Sequence, residues 1–173
     1  IILVKDTEGD NYLGGKNIDY AIVDKLLIPY LSEHFKLASL LADPSKREVL
    51  RDALKYYAEQ AKIELSSRQE YQIVSALDEF GVDDDGKSLE LDLTIDRNTL
   101  KQICTPYFQR AVSMTEDLMK RNSLRSEDID ELILVGGPTF SPILRELLKD
   151  KVSERINTSI SPMTAVSIGA ALY

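Results

Sequence analysis

Two adjacent glycines, Gly136 and Gly137, lie between an apolar run at residues 131–135 and the helix start predicted at Ser141-Pro142. A strand that ends in glycines lets backbone amides approach a ligand closely, and a helix N-terminus adds the positive end of its dipole. This combination is typical of phosphate-binding loops. The same pattern also occurs in ordinary tight turns, so these residues alone leave both a phosphate site and a turn open.

A polar face on the long helix predicted after residue 45 could bind a nucleoside. At about 100° per residue this polar face lies opposite an apolar stripe, and Ile63 lies in the middle of the polar face. The face consists of Lys55, Glu59, Lys62 and Ser66, and the stripe consists of Leu50, Leu54, Tyr57, Ala61 and Leu65. A carboxylate and an ammonium group can bind sugar hydroxyls while an aliphatic side chain packs on a flat base. The alternative is a solvated face with a Glu59-Lys62 ion pair and one exposed isoleucine.

The composition limits the chemistry open to the chain. Its 173 residues are 43% hydrophobic with a formal net charge of -8, which is typical of a soluble globular protein and argues against general nucleic-acid binding. No run approaches the roughly 18 apolar residues of a membrane span. Cys104 and His34 are the sole residues of their types, which argues against disulfides, Cys/His zinc sites and His-dependent nucleophilic catalysis. A reducing, cytoplasmic setting is predicted.

The elements that must position these residues are a mixture of strands and helices, with a helix-helix-hairpin unit inserted after the first strand. In chain order they are a strand at residues 1–5, a helix from Asn17 or Asp19 that Pro29 kinks, the long helix, and strands at 71–77 and 89–95. The chain starts on an apolar run without an initiator methionine, and we expect it to be a piece of a larger protein.

An acidic segment, residues 81–87, connects the last two strands. Its three aspartates suggest calcium, but the alternating ligands and the closing glutamate of a calcium loop are missing. A solvated hairpin turn is therefore predicted, and no metal site is assigned.

Three hydroxyl-proline pairs predict helix starts in the last third of the chain. They are Thr105-Pro106, Ser141-Pro142 and Ser161-Pro162, each with a hydroxyl N-cap and proline at the first helical position. The small pair Gly169-Ala170 predicts close packing of the last helix. Cys104, just ahead of the first pair, is either an activated thiol at a helix N-terminus or, as we favour, a packing residue.

Four segments, in this order and spacing, resemble the ATPase domain of the seventy-kilodalton heat-shock chaperones. They are Gly9-Asp10-Asn11-Tyr12-Leu13-Gly14-Gly15, Ala61-Lys62-Ile63-Glu64-Leu65-Ser66-Ser67, Leu134-Val135-Gly136-Gly137-Pro138-Thr139 and Ala165-Val166-Ser167-Ile168-Gly169-Ala170-Ala171. The second segment resembles the bacterial DnaK-type members. The resemblance covers essentially the whole chain.

This resemblance implies an α/β fold, namely the second lobe of an actin-like ATPase. Residues 1–13 and 104–173 would form its ribonuclease H-like base, and residues 14–103 an inserted, mobile α+β cap subdomain. The implied cofactor is ATP or ADP with Mg²⁺, bound between this lobe and a first lobe. The first lobe brings the phosphate loop, the catalytic lysine and the acidic residues around magnesium. No catalytic residue or metal ligand is assigned to this chain, which by itself is expected to be inactive.

The resemblance also implies the nucleotide contacts. Gly136 and Gly137 would lie at the phosphates, and the side chains around ribose and adenine would be Glu59, Lys62, Ile63 and Ser66.

Three positions near this site depart from the family pattern. Pro138 stands where a small polar residue contacts the nucleotide, Phe140 where an arginine stacks on adenine, and Met163 where an aspartate is usual near the base. Phe140 could stack on a purine through its ring face; alternatively, the pocket has decayed or changed its preference. The chain is identified as a divergent member.

The implied function of the parent is that of an ATP-dependent molecular chaperone in protein folding and the stress response. Its partners would be the first lobe, a nucleotide exchange factor, a J-domain co-chaperone and unfolded client proteins. A second hypothesis, favoured by the three departures, is a nucleotide-sensing or non-hydrolysing actin-like scaffold. A third, a sugar kinase of the same superfamily, is disfavoured by the Ala61–Ser67 segment. The sequence leaves open whether the parent hydrolyses ATP.

Overall fold

The computed structural model describes residues 3–172 of the chain. These residues combine helices with paired strands and divide into two compact units. One unit comprises the residues up to Gly15 and those from Thr105 onward, and the other comprises Lys16–Cys104. The identity of these units as the base and cap of an actin-like lobe stays a prediction.

The second unit begins with a helical stretch that changes its winding. Helix α1 (Gly15–Ile22) continues into a π-helical turn (Val23–Leu27) and then into α2 (Ile28–His34). A proline lacks an N–H and its ring clashes with the carbonyl four residues earlier, and the wide π turn lies directly ahead of Pro29. The kink predicted at Pro29 is thus a change of helix type. The helix starts predicted at Asn17 or Asp19 are wrong because α1 already begins at Gly15.

Two further helices follow, of which only the second was predicted. Helix α3 spans Ala38–Ala42 and α4 spans Pro44–Ser67. The Asp43 carboxylate caps α4 by accepting hydrogen bonds from the backbone N–H groups of Ser45 at 2.9 Å and Lys46 at 3.2 Å. The buried stripe of α4 consists of Leu50, Leu54, Ala58, Ala61 and Leu65. Tyr57, placed in the stripe by the sequence pattern, is half-buried, and Ala58 lies there instead.

A hairpin packs against α4. Strand β1 (Glu70–Val74) pairs antiparallel with β2 (Asp92–Asp96), with Tyr71 opposite Ile95 and Ile73 opposite Leu93. Both strands are shorter than predicted, but the alternation persists because Leu89, Leu91 and Ile95 are all buried.

The acidic segment at residues 81–87 is docked onto the chain between α2 and α3. The carboxylate of Asp83 is buried and accepts hydrogen bonds from the backbone N–H groups of Lys36, Asp85 and Lys87, at 3.1, 3.0 and 2.8 Å. The prediction of a solvated turn is therefore wrong for Asp83, since three amides replace water around its carboxylate.

Helix α5 (Arg97–Arg121) passes from one unit into the other. It begins where Asp96 accepts a hydrogen bond from the Thr99 N–H at 2.7 Å, so Thr105-Pro106 lies inside the helix. The helix start predicted at this pair is wrong because an earlier cap had already nucleated the helix.

The first unit continues with short helices. These are 3₁₀ turns at Ser126–Asp128 and Gly137–Phe140, α6 (Pro142–Lys151) and α7 (Ala165–Leu172). Helix α6 begins at Pro142 as predicted, although the Ser141 side chain makes no capping hydrogen bond. Ser161-Pro162 forms a turn ahead of α7 and does not begin it.

Two predicted strands of this unit are not formed as such. The apolar run at residues 131–135 contributes one parallel bridge, between Leu132 and Ile156, because Arg155–Asn157 is the only described backbone that pairs with it. The strand predicted at residues 1–5 lies partly outside the described residues, and residues 3–5 have no regular structure.

Helix α7 has no buried residue among those described, and the side chains of Val166 and Leu172 are exposed. The close packing predicted from Gly169-Ala170 is therefore wrong within residues 3–172, since small residues permit close approach only where another element is present. Over the same residues, no helix has both the length and the apolar character needed to cross a membrane.

Candidate functional site

The polar face of α4 is built around a buried carboxylate from α1. Asp19 is only 2% exposed, and the Lys62 ammonium lies 2.5 Å from its Oδ1. The Lys55 ammonium lies 3.7 Å from Oδ2 of Asp19 and 3.5 Å from Oε2 of Glu59. The Glu59-Lys62 pair expected for a solvated face is not among the ion pairs of residues 3–172. Lys62 is thus held inward and Glu59 is linked to it indirectly.

The outer part of this face stays accessible. Ile63 is 51% exposed, and the Glu59 side chain is 46% exposed. The Ser66 hydroxyl donates a hydrogen bond to the Ile63 carbonyl at 2.6 Å, so its oxygen remains able to accept a further bond. Because Glu59 and Ile63 are four residues apart, a carboxylate and an aliphatic group lie side by side on the surface.

Two other contacts hold the α1–π helical stretch against α4. The Tyr20 hydroxyl donates to the Asp52 carboxylate at 2.5 Å, and Arg51 pairs with Asp24 through two bonds of 2.8 and 2.9 Å. The hydrogen bond to Asp52 raises the pKa of Tyr20, and the one to Asp24 raises the pKa of Arg51. The Arg51 guanidinium also lies 4.1 Å from the Tyr20 ring centroid.

The glycine pair forms a tight loop whose amides are unequally available. Gly136 has φ +92°, the left-handed region that favours glycine, and its N–H donates to the Pro162 carbonyl at 2.9 Å. Pro138 has no N–H to offer. Within residues 3–172 the Gly137 N–H makes no backbone hydrogen bond, and a Cβ placed there would meet no atom within 4 Å. Gly137 is therefore the amide that a phosphate oxygen could reach.

A groove of about 580 Å³ lies beside this loop in the same unit, lined by Phe140, Pro142, Arg145 and residues 158–162. Phe140 is 44% exposed, and the Arg145 guanidinium carbon is 6.0 Å from its ring centroid. Arg145 is oriented by a hydrogen bond from its Nε to the Thr139 carbonyl at 2.8 Å. The groove therefore combines an aromatic face with a cation. Met163 does not line it and is 68% exposed.

The predicted contacts thus form two sets. Glu59, Lys62, Ile63 and Ser66 lie along one helix in the unit Lys16–Cys104. The remaining residues, Gly136, Gly137, Pro138, Phe140 and Met163, lie in the other unit, where the Gly136–Pro162 hydrogen bond joins the glycine loop to the turn before Met163.

Comparison with known proteins decides the family. The family model described as Hsp70 protein matches residues 1–173. The chain belongs to the Hsp70 family. It is 35% identical over 172 residues to the chaperone protein DnaK of Methanothermobacter thermautotrophicus, 36% over 172 residues to that of Elusimicrobium minutum, and 37% over 173 residues to that of Halobacterium salinarum. Each alignment covers 98% of this chain but only 27%, 26% and 25% of the relative. This Hsp70-family chain therefore spans about a quarter of the length of those relatives.

The sequence did not single out two residues that the structure places beside predicted contacts, Asp19 beside Lys62 and Arg145 beside Phe140. Asp19 lies between Ile18 and Ile22 on the buried side of α1, and an acid among the apolar positions of an amphipathic helix is a signal that could have revealed it. Arg145 lies five residues after Phe140 and across a helix start, where no periodicity predicts a contact.

The single cysteine has no activated thiol. Cys104 is 1% exposed within α5, and burial raises the pKa of its thiol from 9.0 to about 12. The activated-thiol hypothesis is therefore wrong, and the packing role is confirmed. Among residues 3–172, no cluster of three or more histidine, cysteine, aspartate or glutamate side chains is arranged to hold a metal ion.

Proposed function

We propose that this chain is one lobe of the nucleotide-binding domain of a DnaK-type chaperone. Residues 1–13 and 104–173 form its ribonuclease H-like base and residues 14–103 the mobile cap of an actin-like fold. The observation that carries the proposal is the arrangement on α4, where an inward-held ammonium, an accessible carboxylate and an exposed isoleucine occupy adjacent helical positions. Family membership over the whole chain supports it.

Each residue has a definite part in binding ATP or ADP. Glu59 accepts hydrogen bonds from the ribose hydroxyls, Lys62 donates to the ribose oxygens, and Ile63 packs on the base with Ser66 at its edge. Bound together with Mg²⁺, ATP would supply a phosphoryl group for transfer to water, and the metal ion would neutralise charge on the phosphates. This chain contributes binding and orientation rather than a general base.

The glycine loop and the adjacent groove serve the two ends of the nucleotide. The Gly137 N–H donates to a phosphate oxygen, and the absence of a side chain at Gly136 and Gly137 leaves room for that approach. Phe140 stacks on the base, with Arg145 behind its ring. Pro138 and Met163 would offer only apolar contacts to the nucleotide, Met163 from an exposed side chain outside the groove.

The full-length protein would couple nucleotide binding to client binding in the cytoplasm. Its partners are the first lobe, a nucleotide exchange factor, a J-domain co-chaperone and unfolded client proteins. A second candidate function is a nucleotide sensor or scaffold that does not hydrolyse ATP. The glycine loop favours this candidate, because its Gly136 amide is already bonded to Pro162 and Pro138 offers none.

The test is calorimetric titration of the full-length protein with ATP and ADP in the presence of Mg²⁺, alongside a single-turnover hydrolysis assay. We expect binding of both nucleotides, and Glu59→Ala and Lys62→Ala should each weaken it by about 1–3 kcal/mol. Slow hydrolysis supports the chaperone ATPase, and binding without hydrolysis supports the sensor. Unchanged affinity in both variants would remove the ribose contacts, and no binding at all would refute a nucleotide-binding lobe.

Gly137→Ala tests the phosphate contact with a matched control. Its added Cβ meets no atom of residues 3–172 within 4 Å, and the same holds for Gly9→Ala outside the proposed site. Gly137→Ala should weaken binding of ATP without lowering thermal stability, whereas Gly9→Ala should change neither. Equal affinities for the two variants would place the phosphates elsewhere.

A further inference from the structure

We infer that Asp19 is the positioning residue of the ribose site, a buried carboxylate that sets the places of Lys62 and, through Lys55, of Glu59. The inference rests on the proposed function, because it concerns side chains that are assigned there to the ribose. Asp19 itself touches no nucleotide in this scheme. It acts through the two lysines of α4.

The contacts form one continuous chain of charges. Asp19 lies 2.5 Å from the Lys62 ammonium through Oδ1 and 3.7 Å from the Lys55 ammonium through Oδ2. Lys55 then lies 3.5 Å from the Glu59 carboxylate. Exposure of the side chains rises outward from Asp19, from 3% for Asp19 to 28% for Lys55 and 46% for Glu59, while Lys62, the other partner of Asp19, is 18% exposed. A buried anchor thus leads outward to the accessible carboxylate.

The charges of this cluster determine what it can hold. A buried carboxylate is costly unless it is paired and hydrogen-bonded, so Asp19 keeps Lys62 in place even without a ligand. Lys62 donates one hydrogen bond to Asp19, and an ammonium group has two further N–H donors with which it can bind a ligand oxygen. A lysine side chain otherwise samples many rotamers, and fixing it beforehand removes that entropy cost from binding.

The helices on which these side chains stand are themselves held together. The bond between Tyr20 and Asp52 and the two bonds between Asp24 and Arg51 join the α1–π stretch to α4 one and five residues after Asp19 in sequence. Ile18 and Ile22, which flank Asp19, are 1% and 0% exposed. Asp19 therefore projects from a packed element, which is what a positioning residue requires.

The test compares ATP with 2′,3′-dideoxy-ATP, which lacks both ribose hydroxyls, in titrations of the full-length protein. The ratio of the two affinities measures ribose recognition and cancels losses common to both ligands. Asp19→Asn keeps the shape of the side chain but removes its charge, and we expect it to lower the ratio about tenfold, as expected for one charge-assisted hydrogen bond. In a Lys62→Ala background the same substitution should lower the ratio further by no more than Lys55→Ala does, because only the link through Lys55 to Glu59 then remains.

Two additional variants separate positioning from folding. Asp52→Asn also removes a carboxylate that joins α1 to α4 but does not touch Lys62, so it should leave the ratio unchanged even if it lowers stability. Lys55→Ala leaves Asp19 paired with Lys62 and cuts only the link to Glu59. It should lower the ratio by a smaller factor, which keeps the inference testable if Asp19→Asn unfolds.

The outcomes distinguish this inference from the proposed function. A wild-type protein that binds both ligands equally would refute the ribose contacts, and the inference with them. A wild-type preference for ATP that survives in Asp19→Asn, or in Lys55→Ala when Asp19→Asn does not fold, would overturn the inference alone. An equal fall in the ratio for Asp52→Asn would assign Asp19 a merely structural role.

Discussion

Phe140, where the family resemblance implies an arginine, has a cation from a neighbouring residue beside its ring. Its ring is 44% exposed and has the Arg145 guanidinium carbon 6.0 Å from its centroid. A cation near the ring, oriented by its bond to the Thr139 carbonyl, restores some of the charge that an arginine at position 140 would carry. The sequence suggested stacking without a cation, and the structure adds the cation from α6.

If Phe140 stacks on the base, Phe140→Ala in the full-length protein should weaken binding of ATP more than binding of CTP, because a purine offers the larger face. The expected difference is about 0.5–1.5 kcal/mol, the range for an aromatic pair beyond its buried area. Competition titrations measure it. Phe140→Tyr is the control, since it keeps the ring and should retain the preference. Equal losses for both nucleotides would assign Phe140 to packing.

The buried thiol predicts how the chain responds to alkaline pH. Burial raises the pKa of Cys104 from 9.0 to about 12, and burial followed by the hydrogen bond to Glu79 raises the pKa of Tyr57 from 10.0 to about 12. Between the unfolded and folded pKa values the folded chain holds protons that the unfolded chain has lost. The stability that these two groups contribute is therefore fully present below about pH 9 and is lost as the pH rises towards 12.

Denaturant unfolding of the 173-residue chain between pH 8 and 11 should show this decline. Cys104→Val removes one of the titrating groups, so its stability should fall less steeply with pH, whatever its stability at pH 8. Thiol alkylation of the native chain at pH 8 should also be slow. Parallel pH profiles for the two chains, or rapid alkylation, would contradict the buried, protonated thiol.

At the scale of elements, the acidic hairpin loop is a structural clamp. Asp83 accepts bonds from Lys36, which follows α2, and from Asp85 and Lys87 within its own loop. The backbone N–H of Lys87 is the largest cause of the lowered pKa of Asp83. This single carboxylate therefore closes the loop on itself and ties it to the connection between α2 and α3.

Asp83→Asn should lower the thermal midpoint of the chain, because an amide cannot accept all these bonds and carries no charge. Asp85→Asn is the matched control, since Asp85 pairs with Lys36 at the surface, where both side chains are more than half exposed, and should have a small effect. A carboxyl group whose pKa is lowered in the folded state stabilises the fold at pH values above its unfolded pKa, which is 3.8 for Asp83. The difference in thermal midpoint between wild type and Asp83→Asn should thus shrink below about pH 4. Thermal melts at pH 7 and pH 3 measure it, and an equal difference at both pH values would contradict the prediction.

Elements were predictable where a local signal was strong. The long helix follows from its apolar stripe, and the hairpin from the alternation at Leu89, Leu91 and Ile95. The helix start predicted at Thr105-Pro106 was wrong because a proline can be tolerated within a helix that an earlier residue, Asp96, has already started. A sequence pattern identifies several candidate N-cap residues. Which of them begins the helix depends on the competition between these caps.

At the scale of the whole molecule, the chain consists of two compact units and spans about a quarter of the DnaK relatives it matches. The candidate nucleotide contacts are distributed over both units, with the ribose set on α4 and the phosphate and base set around the glycine loop. Hydrolysis and client binding are therefore properties to be tested in the full-length protein, and the titration with ATP and ADP is the decisive experiment at this scale.

The sequence by itself determined the family, because four segments in a fixed order carried the resemblance in a chain about 35% identical to a DnaK relative. It also determined which residues line the polar face of α4, since helical periodicity is a local property. Only the tertiary structure decided what those residues contact. Lys62 bonds Asp19, 43 positions earlier in the chain, and Arg145 lies beside Phe140. Such pairings depend on how separate elements pack, and no local pattern records that packing.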